Sequence, residues 1–81
     1  MSVYRIRGWS GPRLCPGRDT ICLITSDHFH YEIWRDDKLV HSDVQFTYQR
    51  AQLYCQMAWD RIKASDPDPQ LVHVTNLNIR A

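Results

Sequence analysis

The segment from residue 28 to residue 64 restricts the fold more than any other part of this chain. Two alternating runs, His28-Phe29-His30-Tyr31-Glu32-Ile33-Trp34-Arg35 and Lys38-Leu39-Val40-His41-Ser42, flank Asp36-Asp37 and lead directly into an amphipathic stretch. Aspartate tolerates the positive backbone angles of a two-residue hairpin turn, although glycine at the second position would suit it better. With that turn, Arg35 pairs with Lys38, Trp34 with Leu39, Ile33 with Val40, Glu32 with His41 and Tyr31 with Ser42. Paired residues share a face of the sheet. Phe29, Tyr31, Ile33 and Val40 are then expected on the core face, and His28, His30, Glu32, Trp34, Leu39 and His41 on the other. A slip of one residue would send the apolar set to solvent, so the register is well specified.

Thr47 is placed to cap a helix over residues 48–64. Ala51, Tyr54, Cys55, Ala58 and Ile62 recur at spacings of three and four and form one apolar stripe. At about 100° per residue, Leu53 falls nearly opposite that stripe, with Met57 on its shoulder, so both are expected to be exposed. The run Ser65-Asp66-Pro67-Asp68-Pro69 ends the helix, because proline cannot continue it and biases its predecessor away from helical angles.

The remaining segments fit around this unit. Val3-Tyr4-Arg5-Ile6-Arg7 alternates and predicts a strand, suited to an edge, with Tyr4 and Ile6 on one face. All three glycines, with Pro12 and Pro16, lie in residues 8–17, which predicts an irregular loop. Thr20-Ile21-Cys22-Leu23-Ile24-Thr25 reads as a short buried strand. Residues 70–79 read as a last strand with Leu71, Leu77 and Ile79 on one face and Val72 and Val74 on the other. The expected fold is α+β, a single domain over residues 1–81: an antiparallel sheet of four to five strands against one helix, in the order β-β-β-β-α-β.

An 81-residue chain buries only about 60% of its unfolded surface, which leaves a thin core and no room for a buried cleft with a lid. Its 43% apolar and 23% charged residues are those of a folded globule. No apolar run approaches the roughly 18 residues of a membrane span, and the first residues lack a signal pattern, so a cytoplasmic protein without membrane association is expected. Cys15, Cys22 and Cys55 make an odd count that suits reduced thiols better than a disulfide framework. Residues 1–18 carry Arg5, Arg7, Arg13 and Arg18 with no acid, a charge of +4, whereas residues 19–81 sum to −3. Such polarity can orient a small domain in a partner's field.

The chemistry-bearing residues argue for binding over catalysis. His28, His30 and His41 fall on the outer hairpin face with Glu32, but an open, solvated face lacks the closed ligand set of structural zinc, and no metal or cofactor is expected. Cys22 and Cys55 lie on faces expected to be buried, away from any base that would make them nucleophiles. There is no nucleophile elbow, P-loop or dinucleotide fingerprint, so an enzyme is not expected. Arg5, Arg7, Arg13 and Arg18, interleaved with Tyr4 and Trp9, would suit nucleic acid, although an isoelectric point near 7.8 falls short of the usual basic excess. Trp34 and Leu39 on the outer hairpin face, Trp9, and Leu53 with Met57 on the outer helix face are interface-type residues left over once the core is filled. A fifth strand, the N-terminal loop or self-association could equally cover them.

The run Tyr31-Glu32-Ile33-Trp34-Arg35-Asp36-Asp37-Lys38-Leu39-Val40, followed by Thr47, Ala51 and Ala58, resembles a build found among small phage proteins, in particular the compact sheet-and-helix anti-CRISPR proteins. The resemblance covers about 37 of the 81 residues. It implies a non-enzymatic inhibitor, favoured as a monomer in the cytoplasm of a bacterial host, that occludes a surface of a CRISPR effector, a protein or ribonucleoprotein complex. A net charge of +1 argues against DNA mimicry, so the implied contacts are Arg5, Arg7, Trp9, Arg13, Arg18, Trp34, Leu39, Leu53 and Met57. A nucleic-acid-binding module using the Arg-rich N-terminal strand and loop is the alternative.

Overall fold

A computed structural model describes residues 2–12 and 27–81 of the chain. They form β1 (Ser2–Gly11), β2 (His28–Arg35), β3 (Lys38–Gln45), the helix α1 (Tyr48–Ser65) and β4 (Pro69–Thr75). One four-stranded sheet, ordered β3-β2-β1-β4, packs a single helix on one face, which is the expected α+β architecture. The strand expected over residues 20–25 lies outside the described residues, as do Cys15 and Cys22.

The hairpin turns at Asp36 and Asp37, whose φ angles of 47° and 70° are the positive values a two-residue turn demands. Asp36 also ties the turn to β1: its N–H donates to the Val3 carbonyl at 2.9 Å, and its carboxylate accepts from the Val3 N–H at 3.1 Å. Glycine could make only the first of these bonds. The pairs Arg35/Lys38 and Trp34/Leu39 follow the expected register, but Ile33 then pairs with His41, and Val40 is left as the extra residue of a β-bulge. Val40 is therefore 38% exposed instead of belonging to the core. From His41 onward the faces are exchanged, so His41 and Asp43 point to the helix side with Tyr31 and Ile33, not outward with Glu32.

α1 begins where the cap predicts, with Thr47 Oγ1 accepting from the Arg50 N–H at 3.1 Å. Its buried stripe is Ala51, Cys55, Ala58 and Trp59, with Ile62 partly covered. Trp59, at 1% exposure the largest fully buried side chain, takes the core place assigned to Tyr54. Tyr54 instead turns outward, with the Arg50 guanidinium 5.9 Å above its ring. The core closes with Tyr4 and Ile6 from β1 and Tyr31 and Ile33 from β2; Tyr4 meets Trp59 edge-on at 5.0 Å between ring centroids.

β1 is longer than the alternation predicts, because Gly8 through Gly11 continue the strand. A Cβ on Gly8 would stand 2.8 Å from Phe29 Cε1 and 3.1 Å from Leu77, so this glycine marks a close approach and not a loop. β4 runs parallel to β1, which makes the sheet mixed where an antiparallel one was expected. The helix is the reason: at 18 residues it spans about 27 Å and returns the chain to the end from which β1 and β3 start. A second bulge leaves Val72 unpaired between Leu71, opposite Tyr4, and His73, opposite Arg5. Leu71 and Val74 consequently both pack on the core, against the face assignment made for Val74, while Val72 is 53% exposed.

The strand ends at Thr75, and Asn76 takes a φ of 62° and donates to the Gly8 carbonyl at 2.8 Å. Leu77 and Ile79 still pack on the core, but their backbone is held by the helix. Gln52 accepts from the Asn78 N–H at 3.0 Å, and Gln56 accepts from the Arg80 N–H at 2.9 Å.

Candidate functional site

Strand alternation in β1 and β2 sets one row of side chains on the sheet face turned away from α1. Register places Arg5 beside Trp34, Arg7 beside Glu32 and Trp9 beside His30. On the flanks, Leu39 pairs with Trp34, His73 with Arg5 and Thr75 with Arg7. Arg5, Arg7, Leu39 and His73 are exposed; Trp9 and Trp34 are half-buried.

These side chains are interlocked through Glu32. A single carboxylate oxygen, Oε1, accepts from Trp34 Nε1 at 3.1 Å and lies 3.5 Å from Arg7 Nε. The Arg7 guanidinium stands 4.9 Å from the centroid of the Trp9 ring, and Trp9 stacks on His30 at 5.1 Å with ring planes 5° apart. His30 Nε2 lies 3.2 Å from the Gly11 carbonyl oxygen. The chain of contacts from Trp34 through Glu32, Arg7 and Trp9 to His30 holds two indoles and a guanidinium in place without burying them. Arg5 is held less firmly, 3.9 Å from an Asp37 side chain that is 96% exposed. Arg5 and Arg7 of β1, Trp34 of β2, Asp37 of the hairpin turn and His73 and Thr75 of β4 line a groove of about 300 Å³.

Of the residues singled out from sequence, the structure gathers Arg5, Arg7, Trp9, Trp34 and Leu39 on this one face. Leu53 and Met57 are exposed as expected, at 58% and 49%, but on the helix and so on the opposite side of the layer pair. Arg13 and Arg18 lie outside the described residues. Three participants went unrecognised. Alternation places Glu32 on the outer hairpin face with Trp34, but pairs it with His41 and gives it no part in holding Trp34 or Arg7. His73 and Thr75 join through the bulge at Val72, which alternation alone does not reveal.

The histidine grouping dissolves for a related reason. His41 crosses to the helix side, where its Nε2 lies 3.4 Å from the Tyr31 hydroxyl. His28 is 5% exposed with its ring 5.0 Å from that of Phe46, instead of lying in solvent. Among the described residues no group of three or more His, Cys, Asp or Glu side chains is gathered to hold a metal ion.

Titratable groups elsewhere serve the fold. The Tyr31 hydroxyl donates to Asp43 at 3.1 Å, and burial pushes its pKa well above the ordinary tyrosine value. Burial likewise raises the Cys55 thiol to about 12, so it is held as an unreactive thiol in the core. Tyr4 donates to Asp66 at 2.6 Å; burial and this bond raise the phenol, and the same bond holds the Asp66 carboxyl below the carboxylate range.

Fold and surface together define a small α+β domain that presents one amphipathic sheet face opposite its helix. No protein-family model matches the chain, and neither a curated protein nor a solved structure matches it. Among the described residues, no helix is long and apolar enough to cross a membrane.

Proposed function

We propose that this chain is a small non-enzymatic binding protein that inhibits or modulates a macromolecular complex by occluding one of its surfaces. On the resemblance noted above, the complex is a CRISPR effector and the protein a phage anti-CRISPR acting in the bacterial cytoplasm. The observation that carries the reading is the outer sheet face, where Arg5, Arg7, Trp9, Trp34 and Leu39 lie together with no role in the core. Aromatic and arginine side chains of this kind anchor interfaces, and the Glu32 contacts hold two of them ready at little further entropic cost.

The test is phage plaquing on bacteria whose CRISPR effector targets the phage, with and without the expressed chain. Restored plaquing, lost on Trp34→Ala and on Arg7→Ala while circular dichroism stays unchanged, supports the reading. Plaquing that remains suppressed across the major effector types would sink it.

The alternative, a nucleic-acid-binding module, is favoured by a narrower observation. Arg5, beside Trp34, and Arg7, beside Glu32, line one groove with the Trp34 side chain on the same face.

A further inference from the structure

The groove between Arg5 and Arg7 combines a planar aromatic wall with convergent hydrogen-bond donors. Trp34 supplies the wall, and its indole is oriented by the 3.1 Å bond from Nε1 to Glu32. Arg7 approaches Glu32 through Nε, the nitrogen nearest that carboxylate, so its terminal nitrogens keep donors for an incoming anion. The Arg5 contact with Asp37 is long and solvent-screened at 3.9 Å, so an anion displaces it at little cost. From β4, His73 and Thr75 line the same space beside Arg5 and Arg7 respectively, the Thr75 hydroxyl donating to the Ile6 carbonyl at 3.4 Å.

We propose that this groove binds a nucleotide unit, with the base stacked on Trp34 and the phosphate held by the Arg5 and Arg7 guanidiniums. Aromatic side chains accept any base by its π-face, and arginine forks match phosphate oxygens. The groove volume of about 300 Å³ stands at the small end of ligand sites and suits one such unit. An acidic peptide would satisfy the arginines but leave the indole without a planar partner. The inference rests on the outer sheet face being the working surface, as in the reading above, but not on the identity of the complex it meets. A free nucleotide and one residue of a single strand share this chemistry.

Isothermal titration of the full chain with adenosine monophosphate, and separately with an eight-nucleotide deoxythymidine strand, tests it at 50 and 200 mM salt. Two phosphate-contacting arginines give a salt slope of about −1.4 for a single strand, so strand affinity falls about sevenfold over this range, and about threefold in Arg5→Ala. Trp34→Ala weakens both probes by at least about fivefold, and Trp34→Phe, which keeps a stacking ring, restores most of the affinity. Comparable affinity for the two probes identifies a free nucleotide as the ligand; a much tighter strand identifies single-stranded nucleic acid.

The proposal is overturned if neither probe binds at 50 mM salt, or if binding is indifferent to both Trp34 variants. It is equally overturned if a glutamate polymer competes with undiminished strength. Phage inhibition without nucleotide binding would leave the occlusion reading standing and this one not. Trp34-dependent nucleotide binding without inhibition would do the reverse.

Discussion

Deleting Val40 is the sharpest test of how the sheet is built. Val40 stands between Leu39, opposite Trp34, and His41, opposite Ile33, so its removal joins two pairs that are already neighbours and leaves every other pair in place. The side chain is 38% exposed, so roughly three-fifths of a valine's burial is lost, about 1–2 kcal/mol. Against this, one residue fewer must be ordered on folding, an opposing term of about 1–2 kcal/mol. The two nearly cancel, and the deletion variant is expected to lie within about 1 kcal/mol of the parent. In urea unfolding followed by tryptophan fluorescence, with a slope of about 1 kcal/mol per molar for a domain this small, the midpoint moves by about 1 M or less. If Val40 instead paired with Ile33 in a regular ladder, the deletion would remove a core valine and shift the rest of β3 by one residue, carrying His41 and Asp43 from the outer face to the core side. That costs on the order of 3 kcal/mol or more, a large share of the about 4–12 kcal/mol available to 81 residues. A midpoint about 3 M lower, or loss of cooperative unfolding, would refute the bulge.

Two further expectations concern titratable groups. Asp66 is held below its ordinary pKa chiefly by the bond from Tyr4, so its contribution is fully present above about pH 4 and is lost as pH falls through its lower folded-state value. Tyr4→Phe should therefore destabilise the chain at neutral pH, with the difference from the parent vanishing on acid titration; a gap that persists at pH 2 would show that Asp66 is not the partner that matters. Burial raises the Cys55 thiol from 9.0 to about 12, so the unfolded chain ionises first and stability declines as pH rises from about 9 towards 12. At neutral pH a thiol reagent should label Cys55 only as fast as the protein opens, which comparing its rate with amide exchange of α1 checks; labelling faster than that exchange contradicts its burial.

Much of the architecture is legible in the residues, because local rules govern it. Asp36-Asp37 as a positive-φ turn, Thr47 as the cap and the proline run after Ser65 each depend on a few adjacent residues, and each stands where those residues place it. The outward side chains of β1 and β2 are legible too. Alternation puts Arg5 and Arg7 on one face of β1 and Glu32 and Trp34 on one face of β2, while Trp9 joins them because β1 continues past Gly8.

The departures arise where two distant segments must fit each other. Val40 reads as a core valine and Val72 as sharing a face with Val74, yet each becomes the extra residue of a bulge, because pairing with β2 and β1 decides which residue has no partner. Those slips send His41 to the core side and bring His73 and Thr75 to the groove. Trp59 displaces Tyr54 from the helix stripe, because a bulky indole fills the space over Tyr4 that helical spacing alone leaves open to either. Gly8 reads as loop until Phe29 and Leu77 close over it. By itself, then, the sequence determined which elements form and which side chains leave the core, through turn, cap and alternation. Only the tertiary structure decided the register between strands, and with it the joining of Trp34, Arg5 and Arg7 to two residues of β4 in one groove. Pairing energies are shared across the sheet, and no single strand carries them.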